Sequence, residues 1–445
     1  MGGHLEIGSF VLSGRTKSGE FVDLPEDEIL NVIVERSSGG KTFLATLGVI
    51  TLVAGVVILI ALATKQSCPF VYTYTGENYV FDAEPLGGAV AKGLQKIDYS
   101  RLEHLRENKG KYQLLFKNEV RETQYLDEIK LRVFDHEKET TIIPDVQGNF
   151  YKLCRPVEAK SVFDENGQSL ALFLNDNDGI AWQTYLPQKE TSGFNTERHH
   201  ITLTFPKPAG VSHANLVFNG GTALWGSNMI RKMLELRGDK LDSWYQGIND
   251  HGPEYEELYR FIMREELYYM KINIKDNDDW INAGILTGGG PLITEDRIIP
   301  LDLSKIEGDE LVIRLDPPPG FWQIDYIAVD YGRISEKSDY TIPLSSATDY
   351  KNNDITDLLA ESDGQYHQMP LVGDWFKAEF SAPPLQSDKE RSIFLETNGY
   401  YELHIDKTKP EETALIKELL NTPGEIVTYS IEQYFEWCKQ QIAAN

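Results

Sequence analysis

Three short runs bring side-chain oxygens close together along the chain: Asp164-Glu165-Asn166-Gly167, Asn175-Asp176-Asn177-Asp178-Gly179 and Asp276-Asn277-Asp278-Asp279. Clusters of this kind suit a hard cation, and calcium is the metal they would select. None has EF-hand spacing: with Gly179 or Gly167 at the sixth place of such a loop, the first ligand would be Leu174 or Val162. Turns built on Asx side chains are the favoured reading, so no metal site is assigned. His199 and His200 are neighbours in an alternating run, which aims their side chains to opposite faces and disfavours shared zinc ligation. Trp280 and Trp322 offer ring faces on which a sugar could stack, although burial inside a sandwich is the commoner fate of such a residue. Carboxylate pairs for glycosidic cleavage need a fixed separation in space, which spacing along the chain does not give. The chain has no G-x-S-x-G elbow, P-loop, G-x-G-x-x-G or H-E-x-x-H, and Gly288-Gly289-Gly290-Pro291 precedes no helix that could aim at a phosphate. No residue is therefore assigned as catalytic or cofactor-binding, and no cofactor is expected. Of the three cysteines, Cys438 falls on the apolar face of the last helix, which leaves Cys68 and Cys154 as the pair an oxidising compartment could bridge.

The elements that would position such groups begin at a membrane. Residues 42–64 are 23 consecutive uncharged residues, a helix of roughly 34 Å against a hydrocarbon layer of about 30 Å. A lone apolar run inside lipid must be helical to satisfy its own backbone. Cleavage after the small-x-small Ala61-Leu62-Ala63 is a competing reading, but a signal peptide has a shorter apolar region and no folded-looking segment before it. Lipidation at Cys68 is disfavoured by Lys65, which stands where an aliphatic residue belongs. Arg36 and Lys41 on one side against Lys65 on the other favour a cytoplasmic leader and an extracytoplasmic body. The net charge of −26 lies almost entirely after residue 64, which makes nucleic acid a poor partner. Three cysteines are too few for a disulfide scaffold, so apolar burial must hold the core.

Residues 1–41 alternate like a small β module. Its strands are expected around Leu5 to Phe10, Phe21 to Leu24 and Ile29 to Val34. The body opens on a hairpin about Thr75-Gly76-Glu77-Asn78 and continues with strands at 111–116, 129–133 and 141–143, a first β domain over 65–190. A second, over 191–335, alternates at 200–205, 214–218, 268–274, 281–286, 310–315 and 321–329. It carries a helical insertion at 227–264, where Gly238 closes one helix and Pro253 opens another. The tail, 336–445, has strands near 375–380, 392–396 and 400–404, then a helix over 411–420. A last amphipathic helix follows, with Thr422-Pro423-Gly424-Glu425 as its capping box and proline as its first residue, expected to dock on its own domain. The fold class is thus mainly β: a leader module, one transmembrane helix, and sandwich or jelly-roll-like extracytoplasmic domains with a helical insertion and a C-terminal helix pair.

The stretch CPFVYTYTGENYVFDAEPLGGA at 68–89, NEVRETQYLDEIKL at 118–131, GPL at 290–292, PLDLS at 300–304 and GFWQIDYIAVDY at 320–331 resemble an uncharacterised family of bacterial envelope proteins with an N-terminal membrane anchor. The resemblance spans most of the chain from residue 30 and implies a bacterial source and a cell-membrane location, with no activity to transfer. More loosely, 268–331 is similar to galactose-binding-like jelly rolls, a likeness of fold alone. The expected function is binding or scaffolding of a protein or glycan at the membrane. A tethered enzyme acting on envelope polysaccharide is the alternative.

Overall fold

A computed structural model of the chain describes residues 2–6, 9–15, 21–25, 69–153, 156–184, 186, 197–332, 335–336 and 340–444. Two compact units emerge, Met1–Lys65 with Asn177–Ile180, and Gln66–Asp176 with Ala181–Asn445. The expected spanning segment 42–64, the strand at 29–34, Cys68, Cys154 and the Cys438 side chain lie outside the described residues, and the Cys68–Cys154 bridge with them. Among the described residues no helix is long and apolar enough to cross a membrane.

In the leader, Gly2–Glu6, Ser9–Arg15 and Phe21–Pro25 form an antiparallel meander. The single strand expected across Leu5 to Phe10 is thus two strands.

The body holds two sandwiches. In one layer of the first, Tyr79–Ala83, Phe70–Tyr74, Lys111–Lys117 and Trp375–Ser381 lie in that order, followed by the second half of Tyr340–Asp349. The other layer joins the first half of Tyr340–Asp349 to Glu122–His136, Glu390–Leu403 and Lys96–Arg101. Tyr340–Asp349 passes between layers at a register shift between Leu344 and Ser346. Alternation explains the core: Leu114 and Phe116 from one layer meet Leu131, Val133 and Leu395 from the other.

These pairings cross the expected boundaries at 190/191 and 335/336, because strands from 65–190 and 336–445 hydrogen-bond in one sheet. Alternation reports which face of a strand is buried, not which distant strand it meets. The expected strands at 392–396 and 400–404 are one strand. They are interrupted by a bulge at Asn398/Gly399, where a Cβ on Gly399 would lie 2.3 Å from the Tyr125 carbonyl oxygen.

The second sandwich faces two five-stranded sheets. Val157–Glu158, Trp322–Asp330, His213–Thr222 and Glu295–Asp302 run side by side, with Trp182–Gln183 also on Trp322–Asp330. Opposite lie Ser161–Phe163, Ile201–Pro206, Glu310–Leu315, Tyr269–Asp276 and Asp279–Thr287. Leu203, Ile272 and Ile313 pack against Leu216, Phe218 and Ile324. In a three-stranded sheet of Thr141–Pro144, Phe150–Leu153 and Ser335–Glu336, the first two strands bury apolar side chains on both faces. Ile142 and Phe150 join Tyr99, Phe134 and Phe394 of the first sandwich, while Ile143 and Leu153 join Val217, Ile298 and Ala328 of the second.

The expected insertion contains three helices, Leu224–Glu235, Leu241–Asn249 and Pro253–Glu265. Thr413–Asn421 and Glu425–Ala444 close the chain. The last helix begins at Glu425 after Gly424 at φ +80°, so Pro423 is not its first residue. Its Ile426, Val427, Ile431 and Phe435 belong to the second sandwich's core, not to a domain of 336–445.

Candidate functional site

The outward face of the Tyr269–Asp276 sheet gathers one aromatic and several polar side chains. Inward Ile272, Ile274, Leu311, Ile313 and Leu315 fix the register, so their alternates point away from the core. Thr202 pairs with Arg314, Arg314 with Asn273, and Asn273 with Asn282, a polar row across four strands. One step along, Trp280 pairs with Lys275 on the edge hairpin. The register shift between Ile272 and Asn273 sits in this row, and Gly284 beside it is required because a Cβ there would lie 2.8 Å from Ile299 Cγ2.

Asp316 organises the group. Its carboxylate contacts His200 Nδ1 at 2.7 Å and Arg314 Nε at 3.0 Å, and accepts from Asn273 Nδ2 at 3.2 Å. Arg198 donates to the Asp316 carbonyl at 3.0 Å. Held this way, the Arg314 guanidinium lies 4.4 Å from the Trp280 ring centre, within cation–π range. The result is a shallow, partly exposed surface where an indole adjoins guanidinium, imidazole, amide and carboxylate groups. Such a set can stack a pyranose and exchange hydrogen bonds with its hydroxyls.

Trp322, the other tryptophan singled out from the sequence, is fully buried, and its indole N–H donates to the Glu266 carbonyl at 2.9 Å. It is a core residue. The oxygen-rich runs are turns. Asp164 Oδ1 accepts the amides of Asn166 and Gln168, and Asp178 Oδ1 accepts that of Ile180. Asp276 and Asp279 face each other across the hairpin whose tip holds Asn277 at φ +54°. Among the described residues no group of three His, Cys, Asp or Glu side chains is placed to hold a metal ion. His199 and His200 do diverge: His199 meets Glu165 Oε1 at 3.1 Å while His200 turns to Asp316. Arg314, Asp316 and Asn273 escaped the sequence reading. Their outward phase beside Ile313, Leu315 and Ile274 was a visible signal, but the alignment of their strands was not.

A second set of charges lies where the two sandwiches meet. Arg297 Nη2 contacts Asp98 Oδ1 at 3.0 Å and Glu295 Oε2 at 2.5 Å, Lys96 reaches Asp98 at 3.2 Å, and Ser100 donates to Glu295 at 2.9 Å. Burial pushes the Glu295 carboxyl up to about 7, assisted by Asp98 and opposed by Arg297 and Lys96. Lys96 and Arg297 hold Asp98 well below the ordinary carboxylate range against the effect of burial. The triple glycine threads between two buried carboxylates: a Cβ on Gly289 would lie 2.7 Å from Glu295 Oε2, and one on Gly290 2.3 Å from Glu84 Oε2. Glu84 Oε2 accepts the amides of Leu292 and Ile293, which turns the loop.

No family model matches the chain, and no curated protein does. Among solved structures, 18 chains match. One is the carbohydrate-binding module TmCBM61 in complex with beta-1,4-galactotriose, 9% identical with a TM-score of 0.16 over 46% of this chain and 88% of that one. Another is the Sulfolobus Turreted Icosahedral Virus structure, 8% identical with a TM-score of 0.14 over 76% of this chain and 100% of that one. Likenesses this low carry no argument about ligand or activity.

Proposed function

We propose that the protein is a single-pass, membrane-anchored bacterial envelope protein whose second sandwich binds a glycan on the Trp280 face. The uncharged segment 42–64 supports the anchor, and the acidic body argues against nucleic acid as its ligand. The observation that carries the binding role is the Trp280, Arg314, Asp316, Asn273 and His200 constellation on an open sheet face. A tethered polysaccharide-cleaving enzyme would need a carboxyl of raised pKa facing a cleft. Two carboxyls are pushed up by burial: Glu295, enclosed by Ser100, Arg297 and the glycine loop, and the half-buried Glu402 at the end of Glu390–Leu403 in the first sandwich, away from the Trp280 face.

The test titrates detergent-extracted full chain with galacto-, gluco-, xylo- and manno-trioses by calorimetry. One of them is expected to bind, and Trp280→Ala to weaken it at least about tenfold, or ~1.4 kcal/mol. Affinity unchanged by Trp280→Ala, or no binding of any triose, would refute the assignment.

A further inference from the structure

The turn before Trp375 presents apolar side chains to solvent in a locked conformation. The Asp374 amide donates to the Leu371 carbonyl at 3.0 Å, and Asp374 Oδ2 accepts the Leu371 amide at 2.9 Å. Gly373 takes φ +96°, the left-handed place such a turn requires. Leu371 and Val372 are left 61% and 58% exposed, side by side. Tyr350, also exposed, joins them through its amide, which donates to the Trp375 carbonyl at 3.0 Å. Lys351 Nζ lies 5.0 Å from the Tyr350 ring centre, and Lys377 Nζ 5.7 Å from that of Trp375. Of the acids at this end, Asp374 is engaged in the turn, Glu119 by Lys117 and Tyr72, Asp349 by the Lys351 and Asn353 amides, and the exposed Asp354 by the Thr356 amide and hydroxyl. Apolar tips rimmed by tryptophan, tyrosine and lysine suit the boundary between lipid headgroups and acyl chains.

The position of this turn selects the occupant. Phe70 pairs with Lys117, and Lys117 with Trp375, so the body's first described strand residue and Trp375 share a row two strands apart, about 10 Å. Both strands run antiparallel to Lys111–Lys117 and so start at the same end of the sheet. Only residues 65–69 separate the uncharged segment from Phe70, a reach of at most about 20 Å.

We propose that the Leu371–Val372 turn, flanked by Tyr350, Lys351, Trp375 and Lys377, rests in the headgroup region of the bilayer from which the chain emerges. This contact rests on the anchor reading and fixes the first sandwich at the membrane surface. The test places the fluorophore NBD on Val372→Cys of the full chain, in nanodiscs of phosphatidylcholine and phosphatidylglycerol with or without acyl-brominated lipid. Wild-type protein labelled in parallel gives the background of the native thiols. A probe on Leu172→Cys, 79% exposed on the second sandwich, is the comparison. The expected result is a blue shift and loss of most emission to the brominated lipid at 372, and neither at 172. A carbonate-resistant chain with an unquenched probe at 372 overturns the contact alone. A chain that carbonate releases from membranes overturns the anchor and the contact with it.

Discussion

At the residue scale, Glu295 is the most exposed to experiment because its proton is tied to folding. Its carboxyl titrates near 7 in the folded chain against 4.5 ordinarily, raised chiefly by burial. Between those values the folded state holds a proton that the unfolded state releases. This stabilisation is complete below about pH 4.5 and lost as pH rises through about 7, with a ceiling of about 3 kcal/mol. Asp98 has the opposite sign, but its contribution falls away only below its ordinary 3.8, outside that window. His104, raised by its hydrogen bond to Asp82, shares the sign of Glu295, while His367, lowered by burial, opposes it. The difference between wild type and Glu295→Gln therefore isolates the group. Urea denaturation from pH 5 to 7.5 is expected to show wild-type stability declining relative to Glu295→Gln. Parallel profiles would mean that Glu295 is not protonated in the folded state. Little of this joint was legible beforehand: Lys96, Asp98, Glu295 and Arg297 meet only when their strands are brought together. Trp280 was only half legible: it was singled out together with Trp322, burial was the favoured reading for both, and only the pairing of the strands leaves Trp280 partly exposed while Trp322 is buried.

Most elements whose own period carried the information were legible. The Thr75–Asn78 hairpin and the strand Glu310–Leu315 fall where alternation placed them. The helix Leu241–Asn249 was overlooked although Leu241, Trp244, Tyr245 and Ile248 follow the i, i+3, i+4, i+7 pattern and all are buried. The terminal helix shows where local pattern stops. Its apolar stripe was visible, but its seat was not. Trp225 of the insertion packs edge-on against Tyr434 at 5.2 Å and lies 6.1 Å from Trp437, and its indole N–H donates to Ser430 Oγ at 3.0 Å. Arg264 reaches across from the same insertion to the Leu419 and Leu420 carbonyls at the end of the preceding helix. Ser430→Ala leaves a buried indole N–H without its acceptor and is expected to cost about 1–3 kcal/mol by denaturant titration. A loss indistinguishable from zero would mean that water reaches Trp225 and that the helix is not docked as described.

On the scale of the whole molecule, the body's two sandwiches share too much structure to unfold separately. The helix Leu224–Glu235 sends Ile230 and Leu234 into one core and Trp225 and Met229 into the other. The sheet around Phe150–Leu153 does the same by period-two alternation. The Phe150 ring lies 4.5 Å from Phe134 and 5.0 Å from Phe394 of the first sandwich, while Leu153 packs with Val217 and Ile298 of the second. Phe150→Ala and Leu153→Ala therefore remove core volume from different sandwiches, at costs of about 3–5 and 2–5 kcal/mol. If the joint couples the sandwiches, the body melts in one calorimetric transition and both substitutions move it downward together. If each sandwich folds for itself, two transitions separate and each substitution shifts a different one. That outcome would reduce the buried ions and the bridging sheet to a contact between independent domains. A single shared transition is expected, because the bridging sheet and the Arg297 cluster bury apolar and paired charged groups that separation would expose.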